Sequence, residues 1–480
     1  MDIELNKPDF RYEMENLLRL FKAEEGRAVL FADEKIARAE LKTNGKVFTE
    51  GESVIKHPCQ GYAENVELAA QEITLARCLY RCLCLATDKL MPWGVLTGVR
   101  PTKLFRRLAQ EHGLSAAEEY FSEQLLVSPQ KIALARTIYN NQRELIAKSG
   151  PQDFSLYIGI PFCPSRCAYC SFVSHSITDA KAKKLIPDYV ARLCEEIAAT
   201  GTAARELNLR LQSVYMGGGT PTTLSPRQLD AVLGAVARSF DLSSCREYTV
   251  EAGRPDTVTA EKLDVIKAHG AGRVSINPQS FDDKVLRAIG RGHTSEQTLG
   301  AFRLASEFGF GINMDFIAGL PGDSPSGFAK SIERAVELAP QNITIHALAI
   351  KRAAALNDGV EREASGGEYL TPQINSLLEE NGYEPYYSYR QSNSLGGLEN
   401  TGFAKHNYQS AYNIYMMEEI HTVLACGSGA VTKLKAPQTG YIERVFNFKF
   451  PYEYLSRFDE ILARKAAIKE FYAANVAESI

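Results

Sequence analysis

No stretch of this sequence approaches the roughly 18 consecutive apolar residues that a membrane helix needs, so a membrane-spanning chain is not expected. Met1 to Phe10 lacks a basic segment followed by an apolar one. No secretory signal is read there, and a cytoplasmic protein is expected. Strong charge of either sign is also missing. The net charge is −4, and the densest basic patch, Lys181 to Lys184, reads as the solvated start of a helix. A nucleic-acid partner, which calls for a basic domain or stripe, is therefore not expected. Cysteine is sparse, with ten residues in 480. That is too dilute for a disulfide-stapled scaffold, so clustered cysteines are read first as metal ligands in a reducing compartment. Internal repeats and low-complexity tracts are absent as well.

What is present is an ordinary globular composition, 45% hydrophobic and 23% charged, in a chain long enough for two or three compact units. From Ser155 to Ala349 short β-rich runs alternate with helical patterns, the signature of βα units on a parallel sheet. Six strands are expected, at Leu156–Ile160, Ser213–Met216, Tyr248–Glu251, Arg273–Ile276, Ile312–Ile317 and Ile343–Leu348. Ser225 to Gln228 and Thr294 to Gln297 both fit a capping box at a helix start. Leu185, Ile186, Tyr189, Val190, Leu193 and Ile197 share a helical face, with Cys194 close to it as a small core residue.

Residues 1–150 form an N-terminal accessory α+β domain. Helical patterns run over Val66–Ala86, Lys103–His112 and Gln130–Ala147, with a Pro/Gly-punctuated link at Met91–Pro101. Cys78, Cys82 and Cys84 sit in the first of these helices without a fourth ligand, and are read as packing. Residues 351–480 form a C-terminal extension, rich in Tyr and Gly to Gly440 and then helical. Residues 151–350 carry the chemistry.

The decisive run is Tyr157-Ile158-Gly159-Ile160-Pro161-Phe162-Cys163-Pro164-Ser165-Arg166-Cys167-Ala168-Tyr169-Cys170, directly after the first expected strand. A structural zinc site would want four ligands, whereas three thiolates on a four-iron cluster leave one iron without a protein ligand. The C-x3-C-x2-C spacing, the Tyr-x-x-Ile-Pro-Phe lead-in and the βα pattern resemble the radical S-adenosylmethionine superfamily. That resemblance implies a partial, six-unit (β/α)6 parallel barrel, and a [4Fe–4S] cluster on Cys163, Cys167 and Cys170 whose open iron chelates the amino and carboxylate groups of S-adenosylmethionine. It also implies an electron donor, and cleavage of the sulfonium to a 5′-deoxyadenosyl radical.

Further positions match that family one by one. Gly217-Gly218-Gly219-Thr220-Pro221-Thr222 resembles its cofactor-binding GGGTPT segment. Glu251 at the end of strand three, Gln279 in Asn277-Pro278-Gln279-Ser280-Phe281, and Arg291 in Gly290-Arg291-Gly292-His293 correspond to further cofactor contacts. Asp315, in Asn313-Met314-Asp315-Phe316-Ile317, corresponds to a hydroxyl acceptor. With Tyr157, Gly218, Gly219 and Thr220 they form the expected cofactor site, at the ends of strands where parallel barrels place their chemistry.

Ile-Pro-Phe-Cys, Pro-Gln-Ser-Phe and Gly-Leu-Pro-Gly are similar to the oxygen-independent coproporphyrinogen III oxidase-like group. Gly98-Val99-Arg100-Pro101-Thr102-Lys103, Tyr389-Arg390-Gln391-Ser392-Asn393 and Glu399-Asn400 look like its HemZ-like subgroup. The reaction implied is oxidative decarboxylation of a tetrapyrrole, coproporphyrinogen III to protoporphyrinogen IX, with an electron acceptor. Arg390, Lys351 and Arg352 are candidates to meet the anionic propionates. Oxidases of the group carry a fourth cysteine two residues after the third, where this chain has Phe172. Haem chaperones of the family share His-Asn-x-x-Tyr-Trp; here His406-Asn407-Tyr408 stands with no tryptophan near it, the single one being Trp93. A haem-binding trafficking protein, or another radical enzyme acting on haem or a tetrapyrrole, is the alternative.

Overall fold

The computed structural model describes residues 1–23, 25–62, 65–349, 366–391 and 394–476. It divides into two compact units, Met1–Asn141 with Ser388–Glu399, and Gln142–Tyr387 with Asn400–Ile480.

The first unit is built on strands β1 (Asp2–Leu5), β2 (Arg27–Ala32), β3 (Ile36–Thr43) and β4 (Lys46–Ser53) in that order. The Asn44-Gly45 turn between β3 and β4 has φ of 50° and 71°, the positive values a tight hairpin demands. Alternation puts Ala28, Leu30, Ala37, Ala39 and Leu41 on one buried face, where the helix Val66–Thr87 packs. Cys78 and Cys82 lie fully buried on that helix and point their thiols at the carbonyls of Ala37 and Ala39, so they are packing residues, as their spacing implied. Trp93, also buried here, donates its Nε1–H to Glu399 at 2.8 Å.

The second unit carries β5 (Asp153–Ile160), the short pair β6 (Phe162–Cys163) and β7 (His175–Ser176), then β8 (Arg210–Gly218), β9 (Glu247–Glu251), β10 (Arg273–Ser275), β11 (Gly311–Ala318) and β12 (Asn342–Ala347). The chain continues through β13 (Glu384–Arg390), β14 (Glu399–Ala404), β15 (Thr422–Cys426), β16 (Val431–Lys435) and β17 (Ile442–Phe446). The sheet order is β13-β14-β12-β11-β10-β9-β8-β5-β15-β16-β17. All six expected strands form, and neighbours from β5 to β12 pair in parallel. Their near-continuous burial, seven of eight residues in β5, is what a sheet covered on both faces requires.

A seventh parallel strand was not expected. β15 comes from the C-terminal extension and pairs in parallel with β5, Thr422 beside Phe154. Glu196, fully buried on the helix Ala180–Glu206, locks the turn after β15: it accepts from the Gly427 amide at 2.8 Å and the Tyr454 hydroxyl at 2.7 Å, and pairs with Lys465 at 2.7 Å. Both capping boxes form, at Ser225 and at Thr294. Among the described residues no helix is long and apolar enough to cross a membrane.

Candidate active site

In a parallel sheet the strand ends that share a direction also share an edge, and residues just past the C-terminal ends of β5 and β8 to β11 gather there. The cysteine loop starts at β6 and is tied back by β7, whose His175 amide donates to Pro161 O at 2.8 Å. A second clasp comes from the other side, where the Ala168 amide donates to Ile289 O at 2.9 Å and Ser165 Oγ to Gly290 O at 3.3 Å. Burial pushes the Cys163 thiol up and the Cys170 thiol up to about 11.

The glycine run after β8 holds this loop. Gly219 N donates to Ile160 O at 2.7 Å and Thr220 N to Phe162 O at 2.8 Å, while Thr220 Oγ1 reaches Cys163 Sγ at 3.6 Å. A Cβ on Gly219 would stand 2.6 Å from Phe162 O, so only glycine allows this approach. Gly218 adopts φ 102°, which few other residues tolerate. The amides of Gly219 and Thr220 are therefore engaged within the chain.

At the end of β9, Glu251 is half-buried. Burial raises its carboxyl to about 7, with nearby Asp315 adding to the rise; Tyr215, donating at 2.5 Å, and the Gly218 amide oppose it. Tyr157 stacks on Tyr215 at 6.5 Å, and Tyr215 on Tyr412 at 4.5 Å. Asp315 behaves oppositely. Burial alone would raise its carboxyl, but His346, Asn313 and Thr344 together hold it below the usual carboxylate range. Asn313 Nδ2 donates to its Oδ1 at 2.8 Å, and His346 Nε2 stands 3.9 Å from its Oδ2.

Gln279 takes a left-handed φ of 68° while its amide donates to Asp315 O at 2.9 Å. Such strain in a non-glycine residue persists only where the surroundings impose it, and it concentrates at functional sites. Arg291 donates to Asn277 O at 2.5 Å, Gly253 O at 3.2 Å and Tyr169 Oη at 3.2 Å.

The chain itself indicates whether a cluster and S-adenosylmethionine suit this place. Asn277 Oδ1, Gln279 Oε1 and Arg291 Nε are buried without a hydrogen-bond partner among the described residues. Each such atom costs about 1–3 kcal/mol, so their grouping after β10 fits a polar ligand that would satisfy them. Among the described residues no three His, Cys, Asp or Glu side chains converge as on a single metal ion. The three thiols lie within electrostatic reach of one another, and the ligands of a four-iron cluster each take a different iron. The donor set fits the group.

Other expected residues lie elsewhere. Arg390 is buried in the first unit, and its guanidinium donates to the backbone carbonyls of Leu96 and Gly397. It is a structural residue of that unit, which overturns its assignment to the substrate. Lys351 and Arg352 lie outside the described residues. His406 is exposed, two residues beyond Ala404, which pairs antiparallel with Asn342. It therefore sits at the N-terminal end of the parallel strands, opposite the cysteine loop. Phe172 is 65% exposed on that loop. Two residues that sequence reasoning passed over belong to the site: His346, and Arg254, which follows β9 and touches Ser165 and Cys167. A charged residue close after a strand that ends in a site carboxylate was the available signal for Arg254.

Comparison with known proteins places these features in a family. Residues 157–335 match the radical SAM superfamily. The chain is 37% identical over 383 residues to the oxygen-independent coproporphyrinogen-III oxidase-like protein HemZ of Bacillus subtilis (strain 168), covering 78% of this chain and 76% of that one. It is 30% identical over 306 residues to the haem chaperone HemW of the same organism, 62% of this chain and 77% of HemW. Among solved structures, coproporphyrinogen III oxidase (HemN) from Escherichia coli aligns over 66% of this chain and 71% of its own, with 23% identity and a TM-score of 0.49. The chain belongs to the radical SAM superfamily, whose cofactors are a [4Fe–4S] cluster and S-adenosylmethionine, and within it to the coproporphyrinogen III oxidase-like group that holds HemZ.

Proposed function

We propose that this chain converts coproporphyrinogen III to protoporphyrinogen IX by radical oxidative decarboxylation. Turning each of two propionates into a vinyl group removes one hydrogen atom, one carbon dioxide and one electron, the last passed to an acceptor. When bound, the cluster and S-adenosylmethionine supply a 5′-deoxyadenosyl radical able to take that hydrogen atom.

The residues contribute binding and orientation. Cys163, Cys167 and Cys170 hold the cluster. Tyr157, Gly218, Glu251, Gln279, Arg291 and Asp315 would surround S-adenosylmethionine, the ionised Asp315 placed to accept hydroxyls and Arg291 to meet a carboxylate. Gly219 and Thr220 shape the cysteine loop through their engaged amides.

The observation that carries this reading is the set of partnerless buried polar atoms at Asn277, Gln279 and Arg291 beside the cysteine loop. Buried polar atoms left for a second ligand suit a chain that binds S-adenosylmethionine, which the decarboxylation requires. The carrier reading rests on the likeness to HemW and on the exposed His406. Anaerobic incubation of the reconstituted protein with reductant, S-adenosylmethionine, an electron acceptor and coproporphyrinogen III tests both. Protoporphyrinogen IX, with 5′-deoxyadenosine in proportion to propionates lost, is expected. Tight haem binding dependent on His406, with no vinyl product, would replace the oxidase by the carrier.

A further inference from the structure

Arg254 is a guanidinium with 3% of its surface exposed, and it reaches the cysteine loop from a different element, the turn after β9. Its Nη1 donates to Ser165 Oγ at 3.0 Å and Ser165 O at 3.3 Å, and lies 4.0 Å from Cys167 Sγ. Its other edge is gripped by Asp256 as a fork, Nε to Oδ1 and Nη2 to Oδ2, both at 3.1 Å. The charge cannot swing away into solvent.

We propose that Arg254 is a fixed cation of the cluster site, held against Cys167 by Asp256 so that it favours the one-electron-reduced cluster. The inference rests on Cys163, Cys167 and Cys170 being the cluster ligands, and concerns what tunes that cluster once bound.

The argument is electrostatic. One-electron reduction, by the external donor, adds one negative charge to the cluster and its thiolates. A cation fixed beside a ligand sulfur in a water-poor site stabilises the more negative state, and hydrogen bonds and charge around the sulfurs are among the means by which proteins set cluster potentials. At 4.0 Å the contact acts through charge more than through a directed N–H···S bond. Arg166 on the cysteine loop and Tyr169, which Arg291 meets at 3.2 Å, act on the same cysteines. Arg291 also reaches Cys167. His293, whose ring nitrogens lack partners, is pushed down to about 3 by burial and by Arg291 and Arg254, so it stays neutral. Asp256 is the counter-charge, 3.9 Å from His293 and paired with Arg254. The site is thus biased positive on the Cys167 side, and Arg254 and Asp256 pull the potential in opposite directions.

The test is potentiometric titration of the reconstituted protein, followed by electron paramagnetic resonance, with iron counted in every sample. Arg254→Gln should shift the cluster midpoint to a more negative potential at full iron content. Arg254→Lys, which keeps the charge, should stay near wild type. Asp256→Asn, which uncovers the charge, should shift it to a more positive potential, and Ser165→Ala should leave it unchanged. An unshifted Arg254→Gln cluster would overturn the proposal, as would an equal shift in Ser165→Ala, which would assign the effect to loop geometry. If Arg254→Gln fails to hold iron, Asp256→Asn decides alone, and anything but a positive shift overturns it. Cys167→Ala separates the premise: wild-type iron content in that variant would remove the ligand assignment itself.

Discussion

His346 Nε2 stands 3.9 Å from Asp315 Oδ2, across neighbouring strands and on the inward face of the sheet. Asp315 is part-buried, and burial would raise its carboxyl, yet it is held below the usual carboxylate range, with His346 the nearest charge partner. His346→Ala should therefore weaken S-adenosylmethionine binding by about 1–3 kcal/mol, the cost of an uncompensated buried polar group. Calorimetry on the reconstituted protein reads this directly. Unchanged affinity would show that Asn313 and Thr344 suffice to hold the carboxylate.

Glu251 makes the opposite prediction for pH. Its folded-state value of about 7 lies above the ordinary 4.5, so the stability this group confers is complete below about pH 4.5 and is lost as pH rises through 7. Glu251→Gln removes the ionisation, and should leave the cluster-free protein about 3 kcal/mol more stable than wild type at pH 8 while little different at pH 5. Urea unfolding at the two pH values measures the difference. Equal stability of the two proteins at pH 8 would mean that the carboxylate is solvated or paired when charged.

The loop that carries the cysteines depends on Gly219. Gly219→Ala places a Cβ 2.6 Å from Phe162 O, and both partners are backbone, so neither can rotate away. A loss of about 1–3 kcal/mol in stability is expected, together with lower iron content after reconstitution. Iron counting and thermal unfolding of the same preparation check both. A variant with wild-type iron and melting temperature would show that the loop can retreat.

These residues also show what a sequence can and cannot reveal. The six strands, both capping boxes and the cysteine loop were legible because each is written in a local pattern: alternation, a capping pair, a spacing of thiols. Asn44-Gly45 between two alternating runs is equally local evidence for the β3–β4 hairpin. β15 was illegible for a different reason. Thr422 to Cys426 reads as a short apolar run, and only its pairing with β5, far back in the chain, makes it the seventh parallel strand. Arg254, His346 and the burial of Arg390 belong to that second kind, since each acquires its role from a neighbour on another element.

Cysteine replacement tests the cluster assignment where the geometry is tightest. The Cys163 backbone is fixed independently of its thiol, since the Ile177 amide donates to its carbonyl at 2.9 Å and the residue pairs with Ser176 of β7, so removing the thiol deletes a ligand without freeing the loop. Cys163→Ala should fold with near-wild-type stability in the cluster-free state yet retain far less iron and cleave no S-adenosylmethionine. The triple change of Cys78, Cys82 and Cys84 to Ser should do the reverse. Iron content stays, while stability falls because hydroxyls replace thiols in a packed helix face. Iron loss in the triple variant would reassign the ligands.

Arg390 offers the sharpest contrast between a residue's motif and its place. Its charge is buried, its pKa drawn down to about 10 by that burial, with Glu399 opposing the fall, so it remains protonated at neutral pH. Its guanidinium donates to two backbone carbonyls, Leu96 O and, at 3.1 Å, Gly397 O. Arg390→Ala strands those carbonyls and should cost about 2–3 kcal/mol of stability in the first unit. The same variant should leave the KM for the proposed substrate, coproporphyrinogen III, unchanged wherever enough folded protein survives to assay. Arg390→Lys should recover part of the stability at most, because an ammonium cannot reproduce the fork that serves two carbonyls at once. A raised KM with unaltered unfolding in urea would return Arg390 to the substrate and contradict the burial that now assigns it to structure.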